Sequence, residues 1–286
     1  MAPSSPKTEG VPRATLLLAL GAMCLMAACS KPSGGGTGGG TGHGDGLGKG
    51  TAENRPLRVA AAADLQFAFR AIGSAFEAET GRKVEFSFGS TGLLAKQIRE
   101  GAPFDVFAAA NETFADEAIR SGECLASTKY VYAEGRIVIW SNDPNRKPPT
   151  LDAIGANGKL GMANPDHAPY GRAAEQAMRK AGVWERSKAN IVFGENVQQA
   201  LKYAQTGDTD VSIVALSLAI VSGGSYTEID PSMHEPLRQA LVVCKGGARG
   251  SAVEGAKAFA DFVGNAEGRS VMKKFGFRLP SEPRLR

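Results

Sequence analysis

From Leu57 onward the chain alternates short apolar runs with segments whose apolar residues recur every three to four positions, and few architectures accept that pattern. Leu57-Arg58-Val59-Ala60-Ala61 reads as a strand. It is followed by a helix carrying Leu65, Phe69, Ile72 and Phe76 on one stripe, which stops at Gly81. The run 84–88, apolar on alternate positions, reads as a second strand that breaks at Gly89 and leads into a helix over 92–100, closed by Gly101. A third strand over 104–108 precedes a helix over 112–121, and 136–140 is a longer strand. Three further units pair strand 159–163 with helix 171–181, strand 190–193 with helix 196–206, and strand 210–214 with a short helix near 216–221. Strand 240–244 precedes closing helices over 252–264 and 267–275. This alternation predicts an α/β protein with mainly parallel sheets and helices on both faces, and argues against a sandwich or a bundle. No self-similarity with a period of about 20–50 residues is present, which excludes a solenoid.

In open α/β sheets ligands sit beyond the carboxyl ends of the strands, against the helix starts. Four junctions qualify: Ala63-Asp64-Leu65, Ser90-Thr91-Gly92, Pro169-Tyr170-Gly171 and Glu195-Asn196-Val197. First-turn amides have no intrahelical acceptor, and the aligned peptide dipoles place about half a positive charge at that end. Taken alone, Ser90-Thr91 is an ordinary N-cap. Four such termini converging on one point would bind a small oxyanion through N–H dipoles and hydroxyls, with no Lys or Arg.

The first 55 residues have a different character. Residues 1–13 are polar and include Lys7 and Arg13; Ala14 to Ala28 are apolar apart from Thr15 and Gly21. That span is shorter than the roughly 20 residues that cross a bilayer and suits the core of a signal peptide over 1–28. Leu25-Met26-Ala27-Ala28-Cys29 resembles a bacterial lipoprotein box, in which the cysteine is lipidated and becomes the mature N-terminus, although Met26 departs from the usual Leu. Cleavage by ordinary signal peptidase after Ala28 is the alternative. From Ser33 to Gly50 the chain is mostly Gly with Thr, Ser, His and Asp, so residues 29–55 read as a lipidated cysteine followed by a flexible tether; His43 within it makes no metal site. Without Lys7, Arg13 and Glu9 the mature chain has a formal charge of +3, too mild to argue for a nucleic-acid or membrane-surface partner.

Within the folded part, Ala61-Ala62-Ala63-Asp64-Leu65, Ser90-Thr91-Gly92-Leu93-Leu94-Ala95-Lys96-Gln97-Ile98, Gly101-Ala102-Pro103-Phe104-Asp105-Val106-Phe107, Asn164-Pro165-Asp166-His167-Ala168-Pro169-Tyr170-Gly171 and Lys273-Phe275-Gly276-Phe277 occur in order. Together they resemble the molybdate-binding proteins of bacterial ABC importers, over about Leu57 to Pro280. The resemblance implies a type II periplasmic-binding-protein-like fold of two lobes, with lobe I over 56–134 and 222–286 and lobe II over 135–221. Hinge crossovers are expected near Tyr132–Arg136 and Leu218–Tyr226. It also implies a monomer that captures molybdate, or the near-isosteric tungstate, and passes it to an ABC permease on the outer side of the inner membrane. Molybdenum then enters only as the bound oxyanion, and no cofactor is needed. Carried over residue by residue, the ligand positions fall on Asp64, on Thr91 with Ser90 beside it, on Tyr170, on the amide of Val197, and on Ala215, where some members have a tyrosine; Ala63 and Asn196 flank them. The phenol of Tyr170 is expected to replace the tyrosine missing at 215.

Asp64 departs from the Ser or Asn usual at its position, and a carboxylate beside a dianion is repulsive. Two readings stay open: Asp64 turns outward and caps its own helix, or it accepts a hydrogen bond from a protonated oxyanion such as hydrogen phosphate. Another oxyanion, phosphate or sulfate, is therefore the alternative ligand. A secreted hydrolase is the competing class. Ser90, His167 and Asp166 form a triad on paper and Asp105 and Glu112 are spare carboxylates, but Gly89-Ser90-Thr91-Gly92 is not a G-x-S-x-G elbow. No Walker loop or H-E-x-x-H is present either. A tethered sensor or adaptor is a third class. Cys124 and Cys244 either pair in an oxidising compartment or stay as two buried thiols.

Overall fold

A computed structural model describes residues 55–154, 158–246 and 251–280. The expected signal segment 1–28, Cys29 and the Gly-rich stretch with His43 lie outside the described residues. The first part of the chain runs β1 (Leu57–Ala62), α1 (Gln66–Thr80), β2 (Val84–Gly89), α2 (Thr91–Arg99), β3 (Val106–Ala109), α3 (Glu112–Arg120) and β4 (Tyr130–Gly135). The middle runs β5 (Ile137–Ser141), β6 (Leu160–Ala163), α4 (Pro169–Lys180), α5 (Trp184–Ser187), β7 (Ile191–Gly194), α6 (Val197–Thr206), β8 (Val211–Ala215), α7 (Leu216–Ala219) and β9 (Ser225–Glu228). The chain closes with β10 (Leu237–Val243), α8 (Ser251–Gly264) and α9 (Ala266–Lys274).

The strands form two five-stranded sheets, ordered β2-β1-β3-β10-β4 and β7-β6-β8-β5-β9, each the base of one lobe. Both sheets are mixed rather than mainly parallel. In the first, β1 runs parallel to β2 and β3 while β10 runs antiparallel to β3 and β4. The second repeats the arrangement, with β6 parallel to β7 and β8, and β5 antiparallel to β8 and β9. The two strands with no sequence expectation, β4 and β9, are antiparallel members. A strand that hands the chain from one sheet to the other needs no crossover helix, so the alternation that betrays parallel strands is missing around them.

Two segments join the lobes. The first is Arg136, between β4 and β5, inside the expected Tyr132–Arg136 stretch. The second is residues 229–236, between β9 and β10, and not Leu218–Tyr226 as expected. Ser225–Glu228 pairs with β5, so the chain is still in the second sheet at residue 222, where the sequence reading had it back in the first. Arg136 ties these segments together: Nε donates to the Gly276 carbonyl at 3.0 Å and Nη1 to Glu228 at 3.2 Å.

The first sheet is covered on both faces, which is why β1 and β10 are mostly apolar, with Arg58 and Arg238 exposed near their starts. Leu57, Val59, Ala61, Leu241 and Val243 pack with Phe69, Ile72, Phe76 and Phe259, while Ala60, Phe107, Ala240 and Val242 face Leu94, Ile98, Ala115 and Ala118. Phe76 meets Phe259 edge-on, with centroids 5.3 Å apart, which holds α1 against α8. The four-residue stripe predicted for the first helix is fully buried. Among the described residues no helix is long and apolar enough to cross a membrane.

Cys124 and Cys244 form a disulfide across a sequence separation of 120 residues, which resolves the two readings in favour of pairing. The closed loop contains all of the second sheet. Constraining so long a loop in the unfolded chain contributes about 2–5 kcal/mol. Reduction, or the double variant Cys124→Ser with Cys244→Ser, is expected to lower the urea midpoint by the corresponding amount; an unchanged midpoint would show that the bridge carries no stability.

Candidate functional site

The four strand-to-helix junctions meet at one place. Ala62, Ala63, Asp64, Gly89, Ser90, Thr91 and Ala110 from the first lobe, with Ala168, Pro169, Tyr170, Asn196 and Val197 from the second, line one small cavity of about 10 Å³. Ligand sites for drug-sized molecules occupy roughly 300–1,000 Å³, so this space excludes them and leaves room only for a water or a small ion. Its lining contains no Lys, Arg or His. Of the nine buried polar side chains among the described residues, five (Asp64, Ser90, Thr91, Ser217 and Gln239) lie at or behind this cleft. A larger groove of about 480 Å³ opens beside it, between Phe67 and the Gln198–Gln205 face of α6. It is bordered mostly by half-buried side chains and shares only Asn196 with the cavity, so it lacks the convergence of helix starts.

Each junction presents its donors for a local reason. The Asn196 side chain caps α6 by accepting from Gln198 N at 3.0 Å and Gln199 N at 3.1 Å, which leaves Val197 N–H, at the first helical position, outside the cap. Pro169 opens α4 with no N–H of its own, so Tyr170 offers the first amide there. Thr91 begins α2, and its Oγ1 accepts from Ala110 N at 3.3 Å, which leaves the hydroxyl proton for another acceptor. The amides of Thr91, Tyr170 and Val197 have no carbonyl a turn behind them. They bring three helix dipoles, one from the first lobe and two from the second, to bear on one point.

Ser90 does something else. Its hydroxyl donates across the cleft to the His167 carbonyl at 2.8 Å, and His167 Nδ1 lies 2.8 Å from Ser90 Oγ. Gly92 N donates to the same carbonyl at 2.9 Å. Start-of-α2 and pre-α4 backbone are thus latched together. A Cβ on Gly92 would stand 2.7 Å from the His167 carbonyl oxygen and 3.0 Å from Phe114, so only glycine allows this approach.

Of the two orientations left open for Asp64 the side chain takes the inward one, and Tyr170 differs from its expected orientation. Asp64 is 1 % exposed and caps no helix; its Oδ2 accepts from Tyr170 Oη at 2.9 Å and Gln239 Nε2 at 2.8 Å. The inward turn reflects what lies there: two donors behind the cleft, one from each lobe. The phenol of Tyr170, expected to face the anion, gives its single proton to Asp64 instead. Tyr132 Oη donates to Gln239 Oε1 at 3.3 Å and Ser217 Oγ to the Asp64 carbonyl at 2.8 Å, which extends the network through both lobes. Gly135, at the first crossover, passes so close that a Cβ would collide with Tyr170 Oη. Burial drives the Asp64 carboxyl up to about 7, against the opposing pull of the Tyr170 and Gln239 hydrogen bonds. Burial, then the Asp64 charge, push the Tyr170 and Tyr132 phenols well above their ordinary value.

Residues 57–278 match the family model for bacterial extracellular solute-binding proteins. The chain belongs to that family. It is 36% identical over 238 residues to the molybdate-binding protein ModA of Azotobacter vinelandii, covering 80% of this chain and 92% of the relative. ModA of Rhodobacter capsulatus is 35% identical over 224 residues, covering 76% and 86%. Among solved structures, the Azotobacter vinelandii periplasmic molybdate-binding protein superposes with a TM-score of 0.73 at 27% identity, covering 79% of this chain and all of that one. The fold is accordingly the two-lobed one of periplasmic binding proteins.

Within this solute-binding protein, the positions expected at the ligand fall at the cavity wall with one exception: Ala215 ends β8 and is not among the lining residues. The sequence reading missed Gln239, His167 as a backbone latch, and Ser217. Gln239 interrupts the apolar run of β10, and a fully buried carboxamide in a central strand is the signal that could have found it.

Two outcomes follow from this geometry. Gly92→Ala is expected to prevent full closure, weakening ligand affinity at least about tenfold and widening the particle in X-ray scattering, with little change in the ligand-free melting temperature; tight binding by a compact Ala variant would contradict it. For Asp64, the folded value of about 7 lies above the unfolded value of 3.8, so the folded state holds the extra proton between them. Stability is therefore full below about pH 4 and is lost as pH rises through 7, by up to about 4 kcal/mol. Asp64→Asn keeps an acceptor for Tyr170 and Gln239 and should flatten this slope, making the variant more stable than the parent at pH 8 in urea titrations.

Proposed function

We propose that the protein is an extracytoplasmic binding protein that captures a tetrahedral oxyanion, molybdate and also tungstate, between its lobes and delivers it to an ABC importer of the inner membrane. The observation that carries this reading is the convergence of three helix N-termini and the Thr91 hydroxyl on a small cavity with no basic side chain. The ModA relatives support the choice of anion. The donors Thr91 N, Thr91 Oγ1, Tyr170 N and Val197 N come from both lobes, so the anion completes the closed form and a hinge motion at Arg136 and residues 229–236 would open it. Neutral dipoles hold the dianion without an ion pair that would have to be broken at release. The site binds and does not turn over its ligand: Ser90 is spent on the His167 carbonyl and Asp166 is exposed, so no nucleophile is activated there.

Residues 1–28 act in this reading as the export signal and Cys29 as a lipid anchor. The Gly-rich stretch to residue 55 is the leash that lets a monomer reach its permease. Lobe I is the first sheet with α1–α3, α8 and α9, and lobe II is the second sheet with α4–α7.

Calorimetric titration with molybdate, tungstate, sulfate and phosphate tests the assignment; molybdate and tungstate should bind tightest, and a preference for phosphate or sulfate overturns it. Val197→Pro removes one amide donor at a helical position that tolerates proline. It should cost about 1.5–3 kcal/mol of anion affinity without unfolding the helix, and unchanged affinity would remove Val197 from the site.

A further inference from the structure

One polar atom of the cavity wall has no match within the protein. Asp64 Oδ1 is buried without a hydrogen-bond partner, while Oδ2 of the same carboxyl accepts from Tyr170 and Gln239. Asp64 is itself 1 % exposed and lines the cavity. A buried oxygen of this kind calls for a partner, and the partner that the surrounding N-termini favour is an anion. An ionised Asp64 would repel it. A neutral carboxyl reverses the sign, because Oδ1 then carries a proton and can donate.

The surroundings favour the neutral form. The groups facing the carboxyl are the Tyr170 phenol from α4 and the Gln239 carboxamide from β10, with the Tyr132 phenol of β4 behind them and the Ser217 hydroxyl of α7 on the backbone. No basic side chain among the described residues bonds to Asp64. The charged groups on α1, β2 and α6, which pack against this turn, point elsewhere. Arg70 lies over the Phe88 ring, Glu77 accepts from Val84 N, and Glu79, Glu85 and Lys202 are exposed. Tyr203 of α6 is half-buried, and His167 is engaged by Ser90 at another wall. Burial without a compensating cation keeps a carboxyl protonated near neutrality.

We propose that Asp64 is a neutral carboxylic acid in the loaded cleft and donates its proton from Oδ1 to the bound oxyanion, so that capture is coupled to uptake of one proton. This rests on the oxyanion reading of the cleft. The proton comes from solvent whenever the free protein carries Asp64 ionised, and it returns to solvent on release. Affinity is then greatest in mildly acidic medium and falls about tenfold per pH unit once Asp64 of the free protein is ionised.

The test is calorimetry of molybdate and tungstate on the full chain and on Asp64→Asn, between about pH 6 and 8.5, in two buffers of different ionisation enthalpy. Neither anion takes up a proton of its own over that range. The parent should take up close to one proton per anion at the alkaline end, with Kd weakening about tenfold per unit there. The Asn variant, whose amide donates permanently from the same place, should bind with no uptake and a flat profile. Three results overturn the proposal: a parent whose affinity is independent of pH with no proton uptake, an Asn variant that keeps the parent's profile and so assigns it to another group such as His167, or a folded Asn variant that no longer binds, which would make the carboxylate an acceptor. If neither protein binds molybdate, tungstate, sulfate or phosphate at any pH, the oxyanion reading itself fails, and this inference with it.

Discussion

The closed cleft hangs on one carboxyl. Asp64 stands at the end of β1, in the first lobe, and accepts from Gln239 of its own sheet and from Tyr170 of the other lobe. Its backbone carbonyl takes a third link from Ser217, again in the second lobe. A second tie, from Ser90 and Gly92 to the His167 carbonyl, lies on the opposite side of the same cavity. These are polar contacts between the facing surfaces of two lobes. Hydrogen bonds of this sort contribute about 0.5–1.5 kcal/mol each when water replaces them on opening, which suits a clamp better than an apolar seam would.

The same economy governs charge. The site is built to hold an anion, yet no Lys or Arg lines it. A buried guanidinium or ammonium would need a counter-ion whenever the ligand is away, and desolvating it costs several kcal/mol. Amide dipoles at helix starts are present in either state and cost nothing to keep. The sequence supports this by spending little on each terminus: one Asn cap, one Pro, one Thr and one Gly.

The α/β class, the order of most elements and the four junctions were legible in the sequence, because each rests on local periodicity broken by a glycine or a capping residue. Helix α1 announces itself through Leu65, Phe69, Ile72 and Phe76, and every one of them is core. The mixed character of the sheets was not legible, since β4 and β9 lack a crossover helix and owe their pairing to strands far away in the chain. The second crossover was misplaced for the same reason. At the site, residue positions were readable but orientations were not. Whether Asp64 faces out or in depends on Gln239, which lies 175 residues away and carries no local signal. The phenol of Tyr170 is drawn to Asp64 by the same long-range proximity.

The bridge between Cys124 and Cys244 has a bearing on damage as well as on folding. It joins the chain just before β4 to the chain just after β10, so every residue of the second lobe and both crossovers lie inside one covalent ring. A protease that cuts a surface loop anywhere in this ring opens the ring and leaves the two fragments attached. The nicked molecule then remains a single particle, with its halves held at the base of the clamp where β3, β4 and β10 still pair. Outside a cell, where cleaved chains are not replaced on the spot, such a ring turns a cut that would release half of a binding site into one the fold can survive.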